Sequence, residues 1–278
     1  MAFRVVSFNV NSIRARAHQL QAVIERHAPH LIGLQETKVA DDAFPHEELA
    51  DTGYDFVVHG QPTHYGVAVA APKALSHARV TTGLPDDSED AQRRFIAVDS
   101  TLPDGSPVTL VNGYFPQGES RTHPTKFPGK RAFYADVLAW LRDSCDPAQN
   151  VIVMGDMNVA PIDDDIGIGD ANRKRWLRDG KTSFLPEERE WLEALQAWGL
   201  VDSYLACGAP EDDVDRGRLS WFDYRSRGFE RDPRRGLRID LILVSEPLRE
   251  RLTDAGIDYA VRAMERPSDH CPIWAEFD

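Results

Sequence analysis

The chain has 278 residues, 42% of them hydrophobic, and a formal net charge of -13. It carries enough apolar residues to bury a large core, expected as one domain over residues 1–278, and no apolar run reaches the roughly 20 residues of a membrane span. Cys145, Cys207 and Cys271 are odd in number and lack CxxC or Cys/His spacing, which excludes a disulfide scaffold and a thiolate metal centre and fits a reduced cytoplasmic protein.

Phe3 to Val10 is apolar and β-branched, a predicted strand that ends in Asn9-Val10-Asn11-Ser12. It starts at once, without a signal-peptide core. Ile13, Ala17, Leu20, Ile24 and Ala28 lie on one helical stripe, stopped by Pro29. Leu31 to Leu34 is a short buried strand running into Gln35-Glu36-Thr37. Asp55 to His59 and Gly66 to Ala71 read as strands, and Phe95 to Leu102 and Pro107 to Tyr114 as a hairpin about Pro103-Asp104-Gly105. After a basic loop, Phe133, Tyr134, Val137, Leu138 and Leu141 mark a helix. Val151 to Met154 is apolar on both faces, a buried strand closed by Gly155 and followed by Asp156 and Asn158. Asp163 to Lys181 reads as loop with short helix. Pro186 opens a helix with Glu187 and Glu188 at its positive end. Leu219 to Tyr224 and Arg238 to Val244 read as strands, the second holding Asp240, and Ile273 to Phe277 closes the chain after Ser268-Asp269-His270. Many strands, several in hairpins, predict mixed or antiparallel sheets with helices over their outer faces.

The polar residues at strand ends are the candidate site: Asn9, Asn11, Glu36, Tyr114, Asp156, Asn158, Asp240, Asp269 and His270. In an extended segment, residues two apart point to one side, so Asp156 and Asn158 are expected together. The carboxylate can take a proton from water, and the amide can hold a phosphate oxygen. A simple turn is the plainer account of the same residues. Glu36 as a helix cap, Tyr114 at the rim of the core and His270 on the surface are plain alternatives too. Asp240, inside an apolar strand, needs a partner, and His270 is a natural one. Carboxylates and amides with a single His suit Mg²⁺ or Mn²⁺. Zinc would want more His or Cys, and neither a Walker loop nor a GxSxG elbow is present.

The acidic net charge argues against nucleic acid when taken globally. Three local runs point the other way. Eight arginines lie between Arg216 and Arg238, Ser120 to Arg131 is basic, and Arg173-Lys174-Arg175 is a third cluster. Solvated surface is the ordinary account of such runs.

Seven motifs, in this order, carry a resemblance: Ser7-Phe8-Asn9-Val10-Asn11, Leu34-Gln35-Glu36-Thr37-Lys38, Asn112-Gly113-Tyr114-Phe115-Pro116-Gln117-Gly118, Gly155-Asp156-Met157-Asn158, Leu219-Ser220-Trp221-Phe222-Asp223-Tyr224, Leu237-Arg238-Ile239-Asp240 and Pro267-Ser268-Asp269-His270. The chain resembles, over essentially its whole length, the exonuclease III branch of the exonuclease–endonuclease–phosphatase superfamily. That resemblance implies an α/β, DNase I-like four-layer sandwich, with two mixed sheets face to face and helices outside. It implies a base-excision-repair nuclease that cuts duplex DNA 5′ to abasic sites, removes nucleotides from 3′ ends and clears blocked 3′ ends. The implied partner is double-stranded DNA with abasic sites or 3′ ends, with no membrane, and a monomer is expected.

Carried over by motif, Glu36 would bind Mg²⁺ or Mn²⁺ with Asn11 and Asp269 near it. Asp156 would activate water, while Asn158 and Asn9 would orient water and phosphate. His270, held by Asp240, and Tyr114 would contact the scissile phosphate. Gln117 would contact DNA, and Trp221, Phe222 and Leu237 would wall a pocket for a flipped sugar. Trp221 and Phe222 are adjacent, so in a strand one of them is expected in the core. The chain departs from the family pattern at Ser12, where Gly is usual, at Cys271, where Ala is usual, and in a longer Arg231 to Arg235 loop. The rival readings are a same-fold phosphatase on a phosphorylated small molecule or lipid head group, and a non-catalytic DNA- or metal-binding protein. The last should have lost one of Glu36, Asp156, Asp240 or His270, and all four are present.

Overall fold

The computed structural model describes residues 2–75, 77–208 and 218–278. Arg216, at the head of the longest basic run, lies outside the described residues. In chain order the elements are β1 (Phe3–Asn9), α1 (Ile13–His27), β2 (Leu31–Gln35), β3 (Tyr54–His59), β4 (Val67–Pro72), β5 (Arg79–Thr82), β6 (Phe95–Thr101), β7 (Pro107–Tyr114), α2 (Lys126–Ser144) and β8 (Val151–Asp156). There follow α3 (Asp170–Arg178), α4 (Pro186–Ala197), β9 (Leu200–Asp202), α5 (Ser203–Ala206), β10 (Asp240–Ser245), α6 (Glu246–Arg249), β11 (Leu252–Ile257), α7 (Tyr259–Arg262) and β12 (Ile273–Phe277).

The strands form two mixed six-stranded sheets, ordered β11-β12-β1-β2-β4-β3 and β9-β10-β8-β7-β6-β5. Written that way the two pair identically. The third and fourth strands are parallel, β1 with β2 and β8 with β7, and every other neighbouring pair is antiparallel. Alternation along each strand makes the layers. Val5 of β1, Ile152 and Met154 of β8 and Ile242 and Val244 of β10 lie in one cluster between the sheets. Val6 and Phe8 pack instead with Leu20 and Val23 of α1. Val151, Val153, Leu241 and Leu243 pack under Val137 and Leu141 of α2 and Leu192 and Leu195 of α4. Each such fully buried aliphatic side chain contributes roughly 1.5–3 kcal/mol. The result is the four-layer α/β sandwich.

One polar bridge crosses the inner layer. Gln35 Nε2 donates to Asn112 Oδ1 at 2.6 Å and to Ser7 Oγ at 3.0 Å, while Asn112 Nδ2 donates to the carbonyls of Leu34 and Ala68, each at 2.9 Å. All of these are buried, so the bonds fix how β7 of one sheet sits against β2 and β4 of the other.

The structure alters three sequence expectations and adds three strands that the sequence reading does not contain. Gly155 does not close its strand. It lies inside β8 opposite Gly113, where an added Cβ would sit 1.9 Å from the Gly113 carbonyl oxygen. No strand forms over Leu219 to Tyr224. The Trp221 backbone exchanges hydrogen bonds with Leu237 while the Phe222 N–H goes to the Asp269 carbonyl, so the segment is shared between two partners. β10 begins at Asp240 rather than Arg238, because the Arg238 N–H leaves the ladder for the Asp165 carbonyl. β5, β9 and β11 carry weak signals: an exposed edge, a three-residue piece, and a strand interrupted by Asp254 and Gly256.

Candidate active site

The two parallel pairs end at the same side of the sandwich, and there the polar residues meet. Two similar turns deliver them. After β1, the Asn11 N–H donates to Asn9 Oδ1 at 3.0 Å with Asn11 at φ 43. After β8, the Asn158 N–H donates to Asp156 Oδ1 at 3.0 Å with Asn158 at φ 53. The i, i+2 pairs are therefore not extended, and side-chain-to-backbone turns in the left-handed region aim them. The turn account and the site account of these residues hold together. Glu36, just past β2, is also left-handed at φ 53. Strained residues of this kind cluster at functional sites.

Asn9 Nδ2 bridges the sheets, donating to Glu36 Oε1 at 2.9 Å and to Asp156 Oδ2 at 3.0 Å. Lys38 Nζ meets Glu36 Oε2 at 2.8 Å and donates to Asn11 Oδ1 at 2.6 Å. Asn11 Nδ2 in turn donates to Asp269 Oδ1 at 2.8 Å, and Trp221 Nε1 donates to Asp269 Oδ2 at 3.1 Å. Opposite stands His270. Its Nδ1 lies 3.0 and 2.9 Å from the two Asp240 oxygens, and its Nε2 lies 3.7 Å from Asp156 Oδ2. Ser220 Oγ donates to Asp240 Oδ2 at 2.6 Å and closes that carboxylate's shell.

Burial sets the charge states here, and neighbours correct it. Asp156 is pushed up by burial, with Asp240 and Glu36 adding repulsion and His270 opposing. Burial works against a charge on His270, but the carboxylates of Asp240 and Asp156 overcome it and raise its pKa. Glu36 is lowered overall, because Lys38 and the Asn9 amide outweigh burial. Tyr114 stays a phenol: burial and the charges of Glu36 and Asp156 hold its pKa well above the usual value, and its hydroxyl bonds Glu36. The arrangement thus offers one basic carboxylate, one cationic imidazole and neutral donors around a single small space.

Comparison with known proteins gives that arrangement a context. Residues 6–270 match the model of the Endonuclease/Exonuclease/phosphatase family. This chain belongs to that family. It is 54% identical to exodeoxyribonuclease III of Haemophilus influenzae over 99% of both chains. Among solved structures, the 3′ phosphatase NExo from Neisseria, bound to a product DNA hairpin, is similar at TM-score 0.84 and 34% identity, over 99% of both chains. An AP endonuclease from Archaeoglobus fulgidus is similar at TM-score 0.85 and 29% identity, again over 99% of both.

Within this family framework, most of the candidate residues line one cleft. Glu36, Tyr114, Gln117, Asp156, Asn158, Trp221, Leu237, Asp269 and His270 border a space of roughly 170 Å³. That is below the ~300–1,000 Å³ of typical ligand pockets. Asn9, Asn11 and Asp240 stand behind the lining and hold it. Phe222 is a correction. It is fully buried and packs edge-on against Phe229 and Tyr259 in the inner core, because its N–H pairing to Asp269 turns it away from Trp221's side. Trp176 of α3, stacked on Phe184, lines the cleft in its stead. The 163–181 stretch reads as loop with short helix in the sequence, which hides that role. A tryptophan inside a basic polar run is the available signal. Lys38, within the Leu34-to-Lys38 motif, is a second site residue whose role sequence patterning does not show.

The basic runs are less free than their composition implies. Arg121 pairs with Glu187, Lys126 with Glu119 and Lys130 with Glu188, while Arg173 is bonded to Asp163. Arg234 stacks over Phe229 and Tyr259, with its guanidinium carbon 4.8 and 4.6 Å from the ring centres. Arg238 is buried between Asp165 and Asp202. Arg225, Arg227, Arg231 and Arg235 remain exposed.

A divalent cation fits this donor set. Carboxylate oxygens of Glu36 and Asp156 lie within 4.8 Å of each other. Asp240 and Glu36 raise the Asp156 pKa by repulsion, a cost that a cation would relieve. Oxygen donors suit a hard ion.

Proposed function

We propose that this protein, a DNA-repair nuclease that hydrolyses phosphodiester bonds, cleaves duplex DNA on the 5′ side of abasic sites and also trims and cleans 3′ ends. The observation that carries the reading is the placement of Asp156, Asn9 and Glu36 from one side and Asp240-backed His270 from the other, around one small cleft. In this reading Asp156 takes the proton of the attacking water. A general base placed there is worth about 10²–10⁴ in rate. Protonated His270, with Tyr114 and Asn158, donates to the phosphate oxygens as charge grows on them, each donor worth about 10²–10³. Asn9 fixes the angle between Asp156 and Glu36. Mg²⁺ or Mn²⁺ would be held by Glu36, with Asn11 and Asp269 bracing that side, and would supply charge neutralisation at the phosphate.

Trp221, Leu237 and Trp176 would wall the sugar. An abasic nucleotide has no base to unstack, so extruding it is cheaper than flipping a paired one. Gln117 and the exposed arginines would hold the duplex. The 3′-end activity is supported by the likeness to the Neisseria 3′ phosphatase. The test is incubation with a duplex bearing one abasic site, with Mg²⁺ and then with EDTA. A single cut 5′ to the lesion, lost in EDTA, is expected. No cut with either Mg²⁺ or Mn²⁺, or cutting at full rate in EDTA, refutes the reading.

A further inference from the structure

Lys130 lies in the second turn of α2 and Glu188 in the first turn of α4, and neither side chain has any exposed surface. The sequence puts Lys130 in a basic, DNA-facing loop, yet its ammonium is turned wholly inward. Nζ reaches Glu188 Oε1 at 2.5 Å, the Asn158 carbonyl at 2.9 Å and the Gln117 carbonyl at 3.4 Å. That uses all three of its protons. The second Glu188 oxygen accepts the N–H groups of Ser183 at 2.7 Å and Leu185 at 2.8 Å.

The main-chain groups that Lys130 reaches at Gln117 and Asn158, and Glu188 at Ser183, belong to residues that line the cleft. Two of these residues are strained, Asn158 at φ 53 and Ser183 at φ 94. Such conformations cost about 1–3 kcal/mol and persist only where surroundings over-determine them. Gly118, at φ 88, leaves space for the lysine stem: a Cβ there would lie 3.1 Å from Lys130 Cδ. Charge pairing alone does not account for the pair, because well-packed apolar residues often serve as well; what apolar residues could not do is hold these main-chain groups. We propose that Lys130 and Glu188 are a positioning pair, which sets the backbone of the cleft wall carrying Gln117, Asn158 and Ser183.

The pair touches neither substrate nor the reacting atoms and acts only through those three residues. The proposal rests on the reading of the cleft as a phosphodiester site. The test is the double variant Lys130→Met with Glu188→Leu, which removes both charges and keeps the volume. The variant is expected to melt lower than the unmodified protein, because the main-chain groups at Gln117, Asn158, Ser183 and Leu185 lose their partners, and the kinetics are read below that melting point. On the abasic duplex with Mg²⁺, kcat is expected to fall by about 10- to 100-fold, the cost of a small misplacement, with KM moving less than about threefold. Amide exchange is expected to quicken in 116–119, 157–160 and 182–185 and nowhere else. Should that double variant fail to fold, Glu188→Gln keeps the shape and is expected to move kcat and the three segments the same way. A folded variant of either kind with unchanged kcat and unchanged exchange overturns the proposal. If the unmodified protein cuts no abasic duplex, the functional reading fails, and exchange in the three segments still decides the pair.

Discussion

Replacing Asp240 and His270 by Asn, singly and together, separates a working unit from two neighbours. Asp240 is 2% exposed and His270 3%, and Asp240 receives Ser220 Oγ as well as His270 Nδ1. Asp240→Asn removes the charge and leaves an oxygen for Nδ1. A charge-assisted hydrogen bond is worth about 1.5–3 kcal/mol, and at about 1.4 kcal/mol per decade that is roughly 10- to 150-fold in rate. His270→Asn removes the donor itself, about 10²–10³-fold. If Asp240 acts only through His270, the double variant loses no more than His270→Asn alone. Single-turnover incision of an abasic duplex reads the rates, and urea melts beside it show that each variant is folded. A double loss equal to the product of the single losses, about 10³–10⁵-fold on these figures, refutes the coupling.

Salt dependence of duplex binding tests the exposed arginines. Replacing Arg227 and Arg235 with Gln should flatten the log–log slope by about 0.9 for each phosphate no longer neutralised. Arg234→Gln, which removes a guanidinium already stacked on Phe229 and Tyr259, should leave the slope as it was. Ser12 sits at φ 89, where a side chain is strained, so Ser12→Gly should raise stability by about 1 kcal/mol in urea unfolding. Burial would raise the Asp258 carboxyl, but the hydrogen bonds from His27 and Arg26 hold it well below the usual carboxylate range. Its contribution is therefore present above the unfolded value of about 3.9 and lost as pH falls through the folded one. Asp258→Asn should lower the melting temperature at pH 7, with the gap from the unmodified protein closing only below about pH 4.

Strands whose apolar residues alternate between two packed faces were legible, and so were their terminal polar residues, because burial on both faces leaves few choices of residue. Val151 to Met154 could be read from four letters. The extent of β8 could not, because Gly155 serves a close approach to Gly113 that only the folded sheet reveals. The usual Gly at position 12 gained its reason the same way, from φ 89. Asp240 with His270 was inferable from the cost of a lone buried carboxylate. Which of Trp221 and Phe222 faces the cleft was not, since neither lies in a strand. How many charges of the basic runs are free was not legible, because composition counts charges without their partners. Arg121, Lys126 and Lys130 each found a glutamate, and for Arg121 and Lys130 it stands 66 and 58 residues further along the chain.

The matching strand diagrams of the two sheets have a consequence for direction. A phosphodiester has two bridging oxygens, and the like turns after β1 and β8 meet at one end of the scaffold. The chain breaks that tie with few letters. Asn9 stands where the other half has Asp156, and Gln35, opposite Asn9 in its parallel pair, stands where the other half has Tyr114. One strand end therefore carries a carboxylate and the equivalent end an amide. If Asp156 is the base, the polarity with which a DNA strand is cut would follow from which of two equivalent strand ends carries the acid, without a large one-sided surface to impose it.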